Sequence, residues 1–518
     1  MALVRTLMLA AGLSGFGVSA EANPAVRSPL HGTLGAGPHA VGFRTVSVVD
    51  ATRPSGPKRD ASGVALSPER RGRRIDVHVW YPASPGTGPR LTVADYAIAH
   101  LPSSDAVRIR ERLDGLRRFL SQFGSLDDDM WSRLQATPLE GVREAPPARG
   151  RFPLLIGQLR PLSTTVTAEY LASHGYVVAM TYSEGPEPGG AGPGLDVAVR
   201  DMEFAIPQLR ALPFVDQASL ATLGVSGAGF SQILLAMRHP DVEAACDLES
   251  AIFDDRVMWP LSRGWGYELT AMRVPFLHTY SVPLAKRESR IADFENMRYS
   301  TRHHYLVDAP QIHHWDFATE GMAASVLKLR GDASTRLQQA FETTNRYVLA
   351  FFNAYVKDDA AGLAFLKRDP SANGAPAGLA TIREISAVVP APTSDELYTL
   401  LTTKGVAAAM AELDLGRGRD PEAATFREAE INRLGYRLLR QKKFPEAIAV
   451  LQRNVALFPV SSNALDSLAE AQETAGDRSA ALETTRKALE VLAKQELTEQ
   501  ARADMREILE ARVKRLTN

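Results

Sequence analysis

Residues 220–240 read LATLGVSGAGFSQILLAMRHP. Leu220 to Val225 is an apolar, strand-like run, and the segment from Phe230 onward has the character of a helix. Between them Ser226 stands among Gly224, Gly227, Ala228 and Gly229. A sharp strand-to-helix turn needs small residues on both sides of its apex, and a serine there holds its hydroxyl clear of the chain. The usual spacing for such an elbow is G-x-S-x-G; here Ala228 takes the last place. The structural alternative is a small residue in a tight loop, so the neighbouring segments have to decide between a nucleophile and a turn.

On either side of this stretch lie short apolar runs: FPLLIGQ (152–158), YVVAMTY (176–182), VEAACDLESAIF (242–253), VPFLHTYS (274–281) and HHYLVDAP (303–310). Helix-like stretches separate them, among them TTVTAEYLASHG (164–175) and LDVAVRDMEFAIPQLRAL (195–212). Continuous apolar strands alternating with helices predict an α/β fold, a mostly parallel sheet covered on both faces. Chemistry in such sheets gathers at the carboxyl ends of the strands, where Ser226 falls. Upstream, RRIDVHVWYPA (73–83) alternates as a half-buried strand, Phe43–Val49 is strand-like, and residues 93–142 read as amphipathic helix.

The chain has 518 residues, so two or three units are expected. It carries 59 basic and 60 acidic residues and a net charge of −1, which gives no case for nucleic acid or an anionic membrane as partner. Residues 1–22 read as a signal peptide, with Arg5 before the apolar run Leu7–Val18 and small residues at Val18-Ser19-Ala20 or Ala20-Glu21-Ala22. The expected location is exported, periplasmic or extracellular, with no transmembrane helix once the signal is removed. The single cysteine, Cys246, allows neither an intramolecular disulfide nor a cysteine-built zinc site.

Downstream of a Pro/Ala-rich connector, INRLGYRLLRQKKFPEAIAVLQRNVALFP (431–459) and NALDSLAEAQETAGDRSAALETTRKALEV (463–491) form two helical hairpins with a 34-residue period. Ala447 and Ala481 match at the helix-crossing position, Gly435 and Ala469 at the close-approach position, and Pro459 closes the first hairpin. The pattern resembles tetratricopeptide repeats. Two units are fewer than such repeats usually need, so flanking helices are expected to complete the module. It is either a stabilising appendage or the seat of a protein partner. The expected domains are an α/β-hydrolase domain at 40–370, a linker with connecting helices at 371–425, the repeats at 426–492 and a C-terminal helix at 493–518.

A serine nucleophile needs a histidine base and an acid, and in α/β hydrolases these follow in the order Ser, Asp/Glu, His. QIHHWDF (311–317) offers His313 and His314; His303 and His304 open the preceding strand. The acid candidates are Asp247, Glu249, Asp254 and Asp255.

Together RFPLLIGQLRPLSTTVTAEYLASHGYVVAMTY, GVSGAGFSQ, CDLESAIF, HHWDF and the upstream VHVWYPA resemble the platelet-activating-factor acetylhydrolase-type esterases and related exported bacterial hydrolases, over roughly residues 73–367. That resemblance places the acid in an L-D-(A/G) segment, matched here by Leu248-Glu249-Ser250, and the histidine before x-D-F. It therefore implies Glu249 and His314. Where the family carries a His-Gly pair this chain has Gly157-Gln158-Leu159-Arg160-Pro161. The oxyanion donors implied are then the main-chain N–H groups of Gly227 and Arg160. The expected activity is that of a serine hydrolase on small or lipid-like carboxylic esters, needing no metal or cofactor. The alternatives are a catalytically silent hydrolase fold acting through its helical repeats, and a serine peptidase.

Overall fold

A computed structural model of the chain describes residues 27–54, 72–86, 88–182, 193–250, 252, 268–287 and 297–518. The expected signal peptide and two acid candidates, Asp254 and Asp255, lie outside the described residues. The chain divides into two compact units, one of residues 1–268, 274–293 and 303–384, the other of 269–273, 294–302 and 385–518.

The first unit is α/β. Its strands are β1 (Ala40–Pro54), β2 (Gly72–Ala83), β3 (Arg90–Thr92), β4 (Pro138–Arg143), β5 (Phe152–Gln158) and β6 (Val177–Tyr182), followed by β7 (Val215–Val225), β8 (Val242–Leu248), β9 (Phe276–Ser281), β10 (Arg302–Val307) and β11 (Ala380–Ile385). They join in one sheet in the order β11-β10-β9-β8-β7-β5-β6-β2-β1-β4-β3. Strands β5 to β9 run parallel, while β2 is antiparallel to both β1 and β6. Parallel neighbours need long crossovers, and the helices Pro161–Ser173, Pro193–Arg210 and Ala228–Arg238 lie in them. The chain moves outward from β5 to β6, then crosses back to β7 on the other side of β5. The carboxyl ends of β5 and β7 therefore meet at the point where the winding reverses, the usual place for a ligand crevice.

Both faces of the sheet are covered. Ala221, Leu223 and Val225 of β7 and Ala244, Cys246 and Leu248 of β8 share a core with residues of the helices Pro161–Ser173 and Ala333–Val356. The alternate residues turn the other way. There Thr222 hydrogen bonds to Gln232 of the helix Ala228–Arg238, and a side chain at Gly224 would collide with that same glutamine.

Local differences from the sequence expectations have simple causes. The amphipathic region 93–142 holds three separate helices, Val93–Ala97, Ala106–Leu120 and Asp128–Ala136, and then β4. Helical periodicity carried the pattern up to Pro138, where the missing N–H ends it. The run 242–253 is strand only as far as Leu248. Strand β11 lies within the segment expected to be linker.

The second unit is mostly helical. Helices Glu428–Arg440 and Phe444–Leu457 form one hairpin, and Ser462–Thr474 and Arg478–Leu492 the next. Ala447, Ala469 and Ala481 are fully buried, and Gly435 faces Leu451 so closely that a methyl group would clash. The first hairpin shares its core with Leu397, Leu401, Ala409 and Leu413 of the preceding helices Ser394–Thr403 and Val406–Arg419. Leu509 of the C-terminal helix Glu499–Thr517 packs with Leu465, Ala488 and Leu492. Among the described residues no helix is long and apolar enough to cross a membrane.

Candidate active site

Ser226 follows the last residue of β7 and precedes the helix Ala228–Arg238, with a backbone φ of +60°. A non-glycine residue in this left-handed region costs on the order of 1–2 kcal/mol, so the surroundings must enforce it. The Ser226 N–H donates to the Leu248 carbonyl at 2.9 Å, and the Gly229 N–H donates to the Ser226 carbonyl at 3.0 Å. The turn closes tightly because the two flanking glycines permit it. A Cβ on Gly224 would lie 2.8 Å from the Gly229 Cα, and one on Gly229 would lie 1.8 Å from the Ser250 Oγ and 2.2 Å from the Asp247 Oδ1. The close-approach glycine is thus Gly229, one place beyond Ala228.

His314 opens a short 3-10 turn (His314–Phe317) after β10, and its Nε2 lies 2.5 Å from the Ser226 Oγ. Its loop is fixed from below. Asp316 accepts from the His313 N–H at 2.9 Å and forms a buried ion pair with Arg330. The Arg330 guanidinium lies over the Phe123 ring, which stacks on His313. Phe119 meets Trp315 edge-on, with ring centroids 4.9 Å apart. Burial is the main influence lowering the His314 pKa from the ordinary imidazole value; the charges of Arg287 and His313 add to it, and the main-chain carbonyl of Glu249 opposes them as a hydrogen-bond acceptor.

Glu249 comes directly after β8 and has a φ of +53°. Its N–H donates to the Thr279 carbonyl at 2.8 Å. The carboxylate faces Ser281, accepting from its main-chain N–H at 2.6 Å and its hydroxyl at 2.5 Å. Burial raises the Glu249 pKa to about 7 in spite of these bonds. Glu249 therefore acts on the His314 pKa through its main chain, with its carboxylate held on Ser281 at the end of β9.

The other candidates are placed elsewhere. Asp247 is buried, with Oδ2 2.6 Å from the Nδ1 of His278. His303 is bonded to the Tyr355 hydroxyl at 2.7 Å, and His304 lies edge-on to Tyr280. His313 uses its Nδ1 to cap the turn that carries His314.

Ser226, Gly227 and Arg160 line one cavity of about 500 Å³. Gly227 and Arg160 are the N-cap residues of the helices Ala228–Arg238 and Pro161–Ser173, and neither helix has a side-chain cap at that end. Uncapped helix N-termini leave amides and a positive dipole end for a developing negative charge. Arg160 reaches this position in an ordinary extended conformation (φ −63°, ψ 143°), and Leu159 has no positive φ. The segment Gly157 to Pro161 thus makes its turn without the glycine conformation that Leu159 could not adopt.

The remaining walls were not singled out from the sequence. Arg112, Leu116 and Phe119 line the cavity from the helix Ala106–Leu120. Their spacing of four and three puts them on one helix face, a signal present in the amphipathic pattern. Glu320 also lines the cavity; its Oε1 accepts from Ser163 at 2.7 Å, and burial raises its pKa.

No protein-family profile matches the chain, and no curated protein is similar to it in sequence. Among solved structures it is similar to a ferulic acid esterase from Streptomyces cinnamoneus, with 21% identity and a TM-score of 0.43, over 67% of this chain and 96% of that one.

Proposed function

We propose that the chain is an exported serine hydrolase that cleaves small or lipid-like carboxylic esters through an acyl-enzyme on Ser226. The observation that carries this reading is the 2.5 Å approach of the His314 Nε2 to the Ser226 Oγ, on a left-handed elbow that opens into a cavity. The cavity volume lies within the range of small-molecule sites.

In the proposed mechanism the Ser226 Oγ attacks the ester carbonyl carbon while His314 Nε2 takes the hydroxyl proton. The main-chain N–H groups of Gly227 and Arg160 stabilise the oxyanion. The tetrahedral intermediate collapses, the carbon–oxygen bond to the alcohol breaks, and His314 gives its proton to the leaving oxygen. Water, deprotonated by the same imidazole, then releases the acid and restores the Ser226 hydroxyl. Glu249 is the residue that supports this imidazole. Its main-chain carbonyl supports the imidazolium, and its carboxylate fixes that main chain through Ser281. The reading extends to a platelet-activating-factor acetylhydrolase-type esterase with a tetratricopeptide-like extension. Leu248-Glu249-Ser250, His314-Trp315-Asp316-Phe317 and the 34-residue period support it.

The test is hydrolysis of p-nitrophenyl acetate and butyrate by the parent protein and by Ser226→Ala. The expected loss in the variant is on the order of 10⁴-fold or more. Equal inertness of both proteins, with no labelling of the parent by a serine-directed phosphonate, would overturn the reading in favour of a silent fold.

A further inference from the structure

The cavity beside Ser226 holds two arginines, Arg112 and Arg160, and neither is in an ion pair among the described residues. Arg112 sends its Nε to the Ala97 carbonyl at 3.3 Å. The one carboxyl group among the described lining residues is Glu320, which is engaged with Ser163 and outside ion-pair distance of both guanidinium groups. Two like charges lining one cavity repel, and arginine is the side chain best suited to grip a planar anion with paired donors. About one helical turn further along, Gly115 keeps the wall open: a Cβ there would have no neighbour closer than 3.9 Å. Glycine inside a helix costs roughly 0.5–1 kcal/mol relative to alanine, and no close packing at Gly115 requires it.

We infer that the substrate is an anionic ester, with a carboxylate on its acyl or alcohol part that is bound by Arg112 and Arg160 while Ser226 attacks the ester carbonyl. This names the substrate class of the proposed hydrolase and rests on that reading. Two cations balanced in part by Glu320 leave room for one further negative charge. Both side chains line the same cavity, and the positive charge of Arg160 adds to burial in lowering the Arg112 pKa.

The test pairs each anionic ester with a neutral partner of nearly the same shape. One pair is p-nitrophenyl hemiglutarate and p-nitrophenyl pentanoate; the other is 4-acetoxybenzoate and its methyl ester. In one of the pairs kcat/KM should favour the anion at least tenfold, and Arg112→Gln should bring that ratio to about one. Turnover of both pairs with no anionic preference overturns the inference and leaves the hydrolase reading standing. A binding arm covers the absence of turnover: Ser226→Ala protein is titrated calorimetrically with glutarate and with 4-hydroxybenzoate, and glutaramide serves as the neutral control. Binding of either carboxylate that is lost when Arg112→Gln is added supports the inference even if the esterase reading fails. No binding of either, with no turnover, removes both.

Discussion

The carboxylate of Glu249 accepts both the main-chain N–H and the hydroxyl of Ser281, at 2.6 and 2.5 Å, and the influence of Glu249 that raises the His314 pKa comes from its main chain. The acid side chain and the imidazole are thus joined through backbone. A carboxylate bonded directly to the imidazole stabilises the imidazolium by its full charge, and neutralising it costs about 10⁴ in rate. A carbonyl supplies a dipole, and substitution of the side chain leaves that dipole in place.

Glu249→Gln should therefore lower kcat/KM by less than tenfold, measured with the same p-nitrophenyl esters as Ser226→Ala. A loss of 10³ or more would show that the carboxylate turns to His314 during the reaction. The same variant makes a statement about stability. The Glu249 pKa is raised to about 7 in the folded protein, from an unfolded value near 4.5. The native state holds the proton more tightly, so the stability this gives is fully present below pH 4.5 and is lost as pH rises through 7. Glutamine does not titrate. The melting temperature of Glu249→Gln relative to the parent should accordingly be higher at pH 8 than at pH 5, and an unchanged difference would refute the buried, late-ionising carboxyl.

His314 acts as a base only when neutral. Burial, assisted by Arg287 and His313, lowers its pKa below the ordinary imidazole value of about 6.5. Activity should rise with pH through that lowered pKa, so more than half of the limiting kcat/KM should already be present at pH 6.5. The pH profile of kcat/KM reports the free enzyme. An acidic limb centred above 7 would mean that an anion, such as the Glu249 carboxylate, stabilises the imidazolium.

Much of this site was legible because it is local. Gly224, Ser226 and Gly229 must be small or left-handed within a few residues of one another, and a turn of that kind writes itself into the sequence. His314 was marked by Asp316, which the structure shows anchoring the loop on Arg330. The choice between Asp247 and Glu249 could not follow from strand alternation. Asp247 lies inside β8 on the face of the helix Ala228–Arg238, whereas Glu249 lies past the strand end at a φ of +53°, where no period-two rule applies. The arginines were hidden for another reason. Arg112 reaches the cavity that Ser226 lines only through tertiary folding, and in the sequence it is one of many arginines on an amphipathic helix.

Gly227 and Gly229 flank Ala228, and their surroundings are opposite. A Cβ on Gly227 would meet no atom within 4 Å, whereas one on Gly229 would fall inside both Ser250 and Asp247. Gly227 has helical φ and ψ of −56° and −24°, which alanine adopts freely. Gly227→Ala keeps the main-chain N–H in place and should fold with a melting temperature within a few degrees of the parent. Gly229→Ala must push the elbow helix away from β8 or displace the buried Asp247, and overpacking of this kind costs roughly 1–3 kcal/mol or more. It should melt markedly lower and, by shifting the Ser226 carbonyl that the Gly229 N–H holds, lose activity even at temperatures where it is folded. Circular dichroism melts and ester assays on the two variants check both halves. If Gly229→Ala were as stable and active as the parent, the tight elbow packed against Ser250 and Asp247 would be wrong, and with it the geometry that presents Ser226 to His314.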